Sequence, residues 1–475
     1  MAASRSDFYG LYFMPEATPG IDPGIIAADL VTGVCTGETY KFMPDATHKA
    51  WARMESAPSG LPKLDMKEVP QVFQTNDYDL ERIKGLRSNG EVTLSFSVHG
   101  TILDTTAAPS TGDTDRPVAP PWLHLAGSAA GVILGYRTTD IGGPLDTVAA
   151  LPTSGSVFSV TAGDAAEGLL LAHSLAATPT ILKELFRPTA VTAGTDLTAA
   201  TYNTAEMGLV STPTATDKIR YPVQGVFDNR LADHSETFTL LMTRPDSDSA
   251  IMLLGAQAKS WVITSGAGDL PVIKIVFTYR KWSSYADAVD DAVIWTAEPV
   301  IDEEPDYYAQ WPCPAIVSGG HFYYQNPDDN SIKRDTLDIS AVEISWNSGL
   351  DRYMANTGTE GVAGMLVKNK QELSFKFTCL YQADFRVFLN AACYASGVAD
   401  SFPLIYWEGD VAGHNWFFSM ASAFLKEDPG FDGADGGLQA QTLNLGFRKY
   451  AGDDGVNPWD GTEAADTKFG LGAFA

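Results

Sequence analysis

The stretch Glu91-Val92-Thr93-Leu94-Ser95-Phe96-Ser97-Val98 alternates polar and apolar side chains without a break, placing Val92, Leu94, Phe96 and Val98 on one side and Glu91, Thr93, Ser95 and Ser97 on the other. Successive side chains of a strand point to opposite faces, so this period fits a strand with one packed face and one face turned to water or a partner. Comparable runs at 237–243, 250–255, 260–264, 272–282, 341–346, 372–380, 416–420 and 439–450 mostly end at Gly, Pro or Asp. Helical signals are few and short. The segment 121–130 opens with Pro121 at an N1-like position, and 382–396 carries Phe385, Phe388, Leu389, Ala392 and Cys393 at spacings of three and four before Gly397. A chain patterned this way, with 43 Gly and 27 Pro among 475 residues, is expected to be mainly β.

Two of these strands recur. Leu94-Ser95-Phe96 returns as Leu373-Ser374-Phe375, each strand being followed by a short helix, and 275–282 finds a counterpart in 443–450, both ending aromatic-Arg-Lys-aromatic. The order of strand, helix and closing strand predicts a tandem pair of domains. The first covers 1–284 and holds an Ala/Thr-rich insertion at about 133–220, where 151–210 contains 11 Ala and 10 Thr. Residues 285–312 form an acidic linker: 285–308 has eight acids, no Lys or Arg, and Pro299 and Pro305. A second domain covers 313–454, and 455–475 reads as a C-terminal arm, extended or disordered.

The charge balance is 32 Lys and Arg against 59 Asp and Glu, a net −27. Grip on nucleic-acid backbone comes from neutralising phosphates with Lys and Arg, so the chain is not expected to bind it. The start lacks the cationic and apolar regions of a secretory leader, and no run approaches the roughly 18 apolar residues of a membrane span. A soluble intracellular setting is the expectation. Cys35, Cys313, Cys379 and Cys393 include no CxxC pair and read as buried free thiols. The seven histidines never fall within four residues of one another. Phosphate-cradle, nucleophile-elbow, dinucleotide and zinc-protease motifs are absent, so no catalytic, cofactor or metal residue is nominated and no enzyme is expected. The acidic Gly-rich loops 427–437 and 453–455 offer oxygen ligands for calcium, but neither has EF-hand spacing, and solvated turns with acids facing water are the favoured reading.

Several stretches together resemble the major tail tube proteins of bacteriophages with long non-contractile tails, in the form with two tube domains per chain. Near the start, 8–17 followed by Thr18-Pro19-Gly20-Ile21-Asp22-Pro23-Gly24 is similar to the opening strand and its E-x-T-x-G-x-D-P turn. The strand 91–98, a loop with Ala107-Ala108-Pro109, and Ala119-Pro120-Pro121-Trp122-Leu123-His124-Leu125-Ala126-Gly127 resemble the strand, Pro-rich loop and helix of the first tube domain. The run 259–271 and then Ile275-Val276-Phe277 looks like its closing hairpin, and 435–439, 443–445 and 452–454 resemble the last strand and acidic end of the second domain. The resemblance touches about three quarters of the chain through an order of weak signals; the insertion and the length depart from it.

What the resemblance implies is two tandem tail-tube-type β-sandwich domains, each with a short flanking α-helix, whose sheets form an inner barrel on oligomerisation. Homotrimeric, pseudo-hexameric rings would stack into a tube in the virion, assembled in the host cytoplasm. Its partners would be a tape measure protein and tail terminator and tip proteins, and DNA would cross the lumen without specific binding or any membrane contact. The candidate lumen-lining positions are Glu91, Thr93, Ser95, Ser97, Glu372, Ser374, Lys376 and Thr378, with the negative charge expected to repel phosphate. Thr101, Asp104, Asp113, Asp115, Trp459 and Phe469 are the candidates for ring-to-ring contact, because the loop 101–119 and the arm 457–475 are long and lack strand or helix patterning. The alternative is a carbohydrate-binding or adhesive β-sandwich surface or decoration protein using Trp122, Trp261, Trp282, Tyr285, Trp311, Tyr323 and Tyr324 as a stacking platform. A hydrolase with two dispersed carboxylates leaves no sequence spacing by which to be recognised.

Overall fold

Alternation turns into paired strands throughout the computed structural model. It describes residues 10–26, 29–30, 48–62, 66–69, 81–84, 90–100, 102–104, 116–127, 131–134, 171–174, 182–186, 218–220, 223–227, 237–243, 250–284, 320–326, 331–354, 362–367, 371–380, 382–394, 402–409, 415–426, 440–447 and 469–474. The principal strands of the earlier part are β1 Gly10–Pro15, β2 His48–Arg53, β3 Glu91–Ser97, β4 Gly131–Leu134, β5 Val223–Phe227, β6 Phe238–Thr243, β7 Ala250–Gly266, β8 Val272–Thr278 and β9 Lys281–Ser284. Those of the later part are β10 Gly320–Gln325, β11 Ile339–Asn347, β12 Glu372–Leu380, β13 Phe402–Glu408, β14 Asn415–Leu425, β15 Ala440–Phe447 and β16 Phe469–Phe474. Helix α1 is Pro121–Gly127 and α2 is Ala383–Tyr394. The molecule is mainly β, and these strands belong to one large, almost wholly antiparallel sheet that does not close on itself.

The long strand β7 organises this sheet. Its first part pairs with β6 on one side and β9 on the other, while its second part pairs with β8 and β11. The switch occurs where Gly255 takes a positive φ of 65° and the register against β8 shifts between Ala258 and Ser260. A bulge with a glycine is how one strand turns a corner between two packed layers. Sequence patterning split this strand into 250–255 and 260–264, because the corner interrupts the alternation. Conversely 272–282 is two strands, broken where the Arg280 amide donates to the Leu254 carbonyl at 2.9 Å.

One pairing scheme occurs twice. The pairs β1–β6, β6–β7, β7–β8 and β8–β3 are matched in order by β10–β13, β13–β14, β14–β15 and β15–β12. The register shift between Phe238 and Leu240 has its counterpart between Phe402 and Leu404. Aligning the closing strands by sequence puts Ile275 with Leu443; Ile275 faces Leu94, whereas Leu443 faces Phe377. The Leu-Ser-Phe identity is therefore displaced by four residues from the structural correspondence, and an even displacement keeps each side chain on its face.

The C-terminal segment departs from the expected arm. Phe469–Phe474 is a strand inserted between β14 and β5, with Leu471 and Ala473 fully buried. It takes beside Met420 the place that Trp282 takes beside Leu253 in the first scheme. Within the Ala/Thr-rich stretch, Leu185 of the strand Leu182–Phe186 packs on Tyr323, Ile405, Trp407 and Phe417, so this strand covers strands of the later half. Loop 101–119 contains a two-stranded hairpin of Ile102–Asp104 and Arg116–Val118. Of the expected linker, 285–312, nothing lies within the described residues.

Among the described residues the apolar faces enclose one large core, with a smaller cluster around Tyr323, Ile405, Trp407 and Phe417. Phe375 stacks on Phe418 with ring centroids 5.4 Å apart, and Phe388 of α2 meets Tyr324 edge-on at 4.8 Å. In α2, Phe385 and Phe388 are buried and Leu389 half-buried, as the helical spacing predicts. Trp122 of α1 is buried and donates to the His99 carbonyl at 2.9 Å.

Candidate functional site

Six strands in the order β3-β8-β7-β11-β12-β15 form one continuous surface that runs across both halves. Seven residue pairs, from Ser260 opposite Asn347 to Gly266 opposite Ala341, make the joint. One face carries Leu94, Ile275, Ile263, Ile344, Phe375 and Leu445, all 0% exposed, and looks into the core. The other is largely polar and is the candidate site, since a sheet face that is open over most of its area and has fixed spacing is a surface that something can slide along or lie on. In-register rows cross it, such as Thr264, Glu343, Lys376 and Asn444.

Of the eight nominated lining residues, Glu91 and Glu372 are exposed and Thr93, Ser374, Lys376 and Thr378 half-buried on this face. Ser95 and Ser97 point to the same face but are buried, only 7% and 8% exposed. The segment after β2 lies beside them, with the Glu55 amide donating to the Ser95 carbonyl and the Ser97 hydroxyl donating to the Glu55 carboxylate. The sequence missed Thr264, Glu343, Thr442, Asn444 and Lys274 as members of the face, though each sits at the alternate position of a recognised run. The Ser374 hydroxyl bonds Asn444 Oδ1 at 2.6 Å, and the Thr378 and Thr442 hydroxyls are 2.8 Å apart.

The charge on this face differs from the expected acidic lining. Glu91, Glu343 and Glu372 are balanced by Lys259, Lys274 and Lys376, with Lys259–Glu91 and Lys376–Glu343 both at 2.7 Å. A net charge of −27 is a property of the whole chain, and strand positions carry little of it. An open groove of about 590 Å³ crosses the joint, lined by Thr264, Gly266, Asp269, Glu343, Lys376 and Thr442 among others.

Beneath the joint lies a buried acid that sequence inspection passed over. Glu408, 2% exposed, accepts from Ser265 Oγ at 2.7 Å and Trp416 Nε1 at 3.0 Å, and its other oxygen is hydrogen-bonded to the Tyr406 hydroxyl. Burial pushes the carboxyl above the usual carboxylate range, against the three hydrogen bonds that favour the anion. An acid at the end of a strand gives no motif by which to be found.

Glu16 shows the opposite use of a carboxylate. It accepts from the amides of Gly20 and Gly255, both at 2.7 Å, and from the hydroxyls of Thr237 and Thr239, both at 2.8 Å. Asp22 Oδ1 holds the amides of Gly24 and Ile25 at 3.0 Å. The turn after β1 is thereby fixed, with Ile21 61% exposed on it.

Other nominated residues fall elsewhere. Asp104 lies in the small hairpin, and Phe469 is in β16, paired within its own chain on both sides. Thr101, Asp113, Asp115 and Trp459 lie outside the described residues, as do Cys35, Cys313, Tyr285 and Trp311 and the whole of both acidic Gly-rich loops. Trp122, Trp261, Trp282, Tyr323 and Tyr324 are buried, so these five make no surface stacking platform. Cys379 is a buried free thiol whose pKa burial pushes up to about 12. Among the described residues no group of three or more His, Cys, Asp or Glu is placed to hold a metal ion, and no helix is long and apolar enough to cross a membrane. Neither a scan against protein-family models nor a search of curated proteins finds a match to this chain.

Proposed function

We propose that the chain is a structural virion protein, the major tube subunit of a long non-contractile phage tail, whose copies join into rings and stack into a hollow conduit for DNA. The observation that carries this reading is the six-stranded sheet shared by both halves, largely polar on one face, which is open except beside Ser95 and Ser97, and packed into the core on the other. Two halves with one pairing scheme offer two similar units per chain, so three copies provide six. A closed ring of such sheets leaves no exposed edge, and head-to-tail stacking of rings gives an open-ended tube. Tape measure, terminator and tip proteins are the partners this role calls for.

The polar face suits a surface that nucleic acid crosses without sticking. Phosphate is held by cations free to neutralise it, and Lys259 and Lys376 are already engaged by Glu91 and Glu343. Low adhesion would then arise from neutralised lysines and hydroxyls as much as from repulsion. Negative-stain electron microscopy of the purified protein should show rings or hollow tubes of uniform diameter with threefold or pseudo-sixfold end views. A monodisperse monomer at every concentration would overturn the proposal.

A further inference from the structure

The joint between the halves holds an ionisable group that assembly does not require. β7 ends the earlier half's share of the polar sheet, and its Ser265 hydroxyl donates across the joint to Glu408 of β13 at 2.7 Å. The carboxyl is enclosed from each side: Tyr406 lies on its own strand, Gly320 faces it from β10, Trp416 from β14 and Ser265 from β7. None of these four carries a positive charge, and Tyr406 is itself kept protonated, chiefly by burial. Gly320 is fitted to the cluster, since a Cβ there would stand 2.6 Å from the Tyr406 hydroxyl. The result is a buried site with three neutral donors for one carboxyl and, among the described residues, no counter-cation in contact with it.

We propose that Glu408 is a proton-operated latch between the two halves, closed as the neutral acid and loosened as the carboxylate. In the closed state the acid keeps its proton, and its oxygens accept from Ser265 and Trp416 while it shares a hydrogen bond with Tyr406. Ionisation sends the proton to solvent and leaves an anion with neutral donors only, and an uncompensated buried charge draws water toward the joint. The strands that then loosen first are β7 and β11, which carry the groove on the polar face. The device is independent of the tube reading, because the joint is within one chain.

The sign follows from linkage. A carboxyl favoured as the acid in the folded state contributes stability that is complete below the ordinary Glu value of about 4.3 and is lost as pH rises through the higher folded value. Infrared spectra of the full chain across a pH series should contain a protonated-carboxyl C=O band, missing in Glu408→Gln, that persists above the pH at which ordinary Glu side chains ionise. Urea denaturation should show the wild type losing up to tenfold in folding constant per pH unit, relative to Glu408→Gln, across the interval between the two values. Amide exchange at Ser260–Gly266, corrected for intrinsic pH dependence, should accelerate more than at Glu91–Ser97 over the same interval. Parallel pH profiles for the two proteins, or a Glu408 band that disappears at the ordinary Glu value, overturn the latch. Should Glu408→Gln fail to fold, Ser265→Ala replaces it: losing a donor that favours the anion should carry the carboxyl band to higher pH, and an unmoved band overturns the proposal equally.

Discussion

Removing the Glu16 carboxylate is the sharpest test of how the N-terminal turn is held. Its two oxygens accept four hydrogen bonds of 2.7–2.8 Å, one pair from Thr239 and the Gly255 amide and the other from Thr237 and the Gly20 amide. Thr237 and Thr239 are 4% and 0% exposed, so their hydroxyls have no ready access to water. In Glu16→Ala four donors lose their acceptor; at roughly 1 kcal/mol each, the low end for stranded donors because Glu16 itself is half-buried, the cost is about 4 kcal/mol. Glu16→Gln keeps one carbonyl oxygen and turns an amino group toward the other two donors, so about half that cost is expected. Equilibrium urea denaturation followed by far-ultraviolet circular dichroism measures both. The order wild type, Gln, Ala should hold, and limited proteolysis should cut near Ile21 earlier in the same order. An alanine variant within about 0.5 kcal/mol of wild type would refute the argument, showing that water replaces the carboxylate at no cost.

Phe375→Ala removes a fully buried ring that contacts Phe322, Phe377, Tyr406 and Phe418, and should lower stability by about 3–5 kcal/mol in the same denaturation assay. His124 of α1 is buried, its Nε2 has no hydrogen-bond partner, and desolvation lowers its pKa from 6.5 to about 4. The unfolded chain binds the proton more readily, so stability should fall by up to about 3 kcal/mol as pH drops from 6.5 to 4, and His124→Leu should flatten that limb of a thermal-unfolding pH series.

The sequence revealed faces better than partners. For β11 and β12 the buried residues are the alternate apolar ones, and in β3, β8 and β15 the alternate apolar residues are buried along with a few polar neighbours, since side-chain direction along a strand is a local property. The spacing of Phe385, Phe388 and Leu389 placed α2 for the same reason. Strands with weak local signals escaped. Phe469–Phe474 contains two glycines, which have low strand propensity, and it is ordered by two neighbours remote in sequence. The bend in β7 was also illegible, because a corner strand changes its packing partner halfway and breaks its own alternation. Of the candidate site, the polar positions on β3 and β12 were readable, whereas the cover over Ser95 and Ser97 and the balanced charges required knowledge of what lies beside them.

By itself, then, the sequence determined that this protein is mainly β, which side chains of each strong strand turn inward, and where both described helices lie. Only the tertiary structure decided that β7 meets β11 and makes one sheet of both halves, that the strand Leu182–Phe186 and the last strand cover the later half, and that Glu408 is sealed beneath the joint. The division has a physical cause: the face of a strand is fixed by the period-two geometry of its own backbone. Its pairing partner and the burial of a single carboxyl are chosen by the free energy of contacts between residues far apart along the chain.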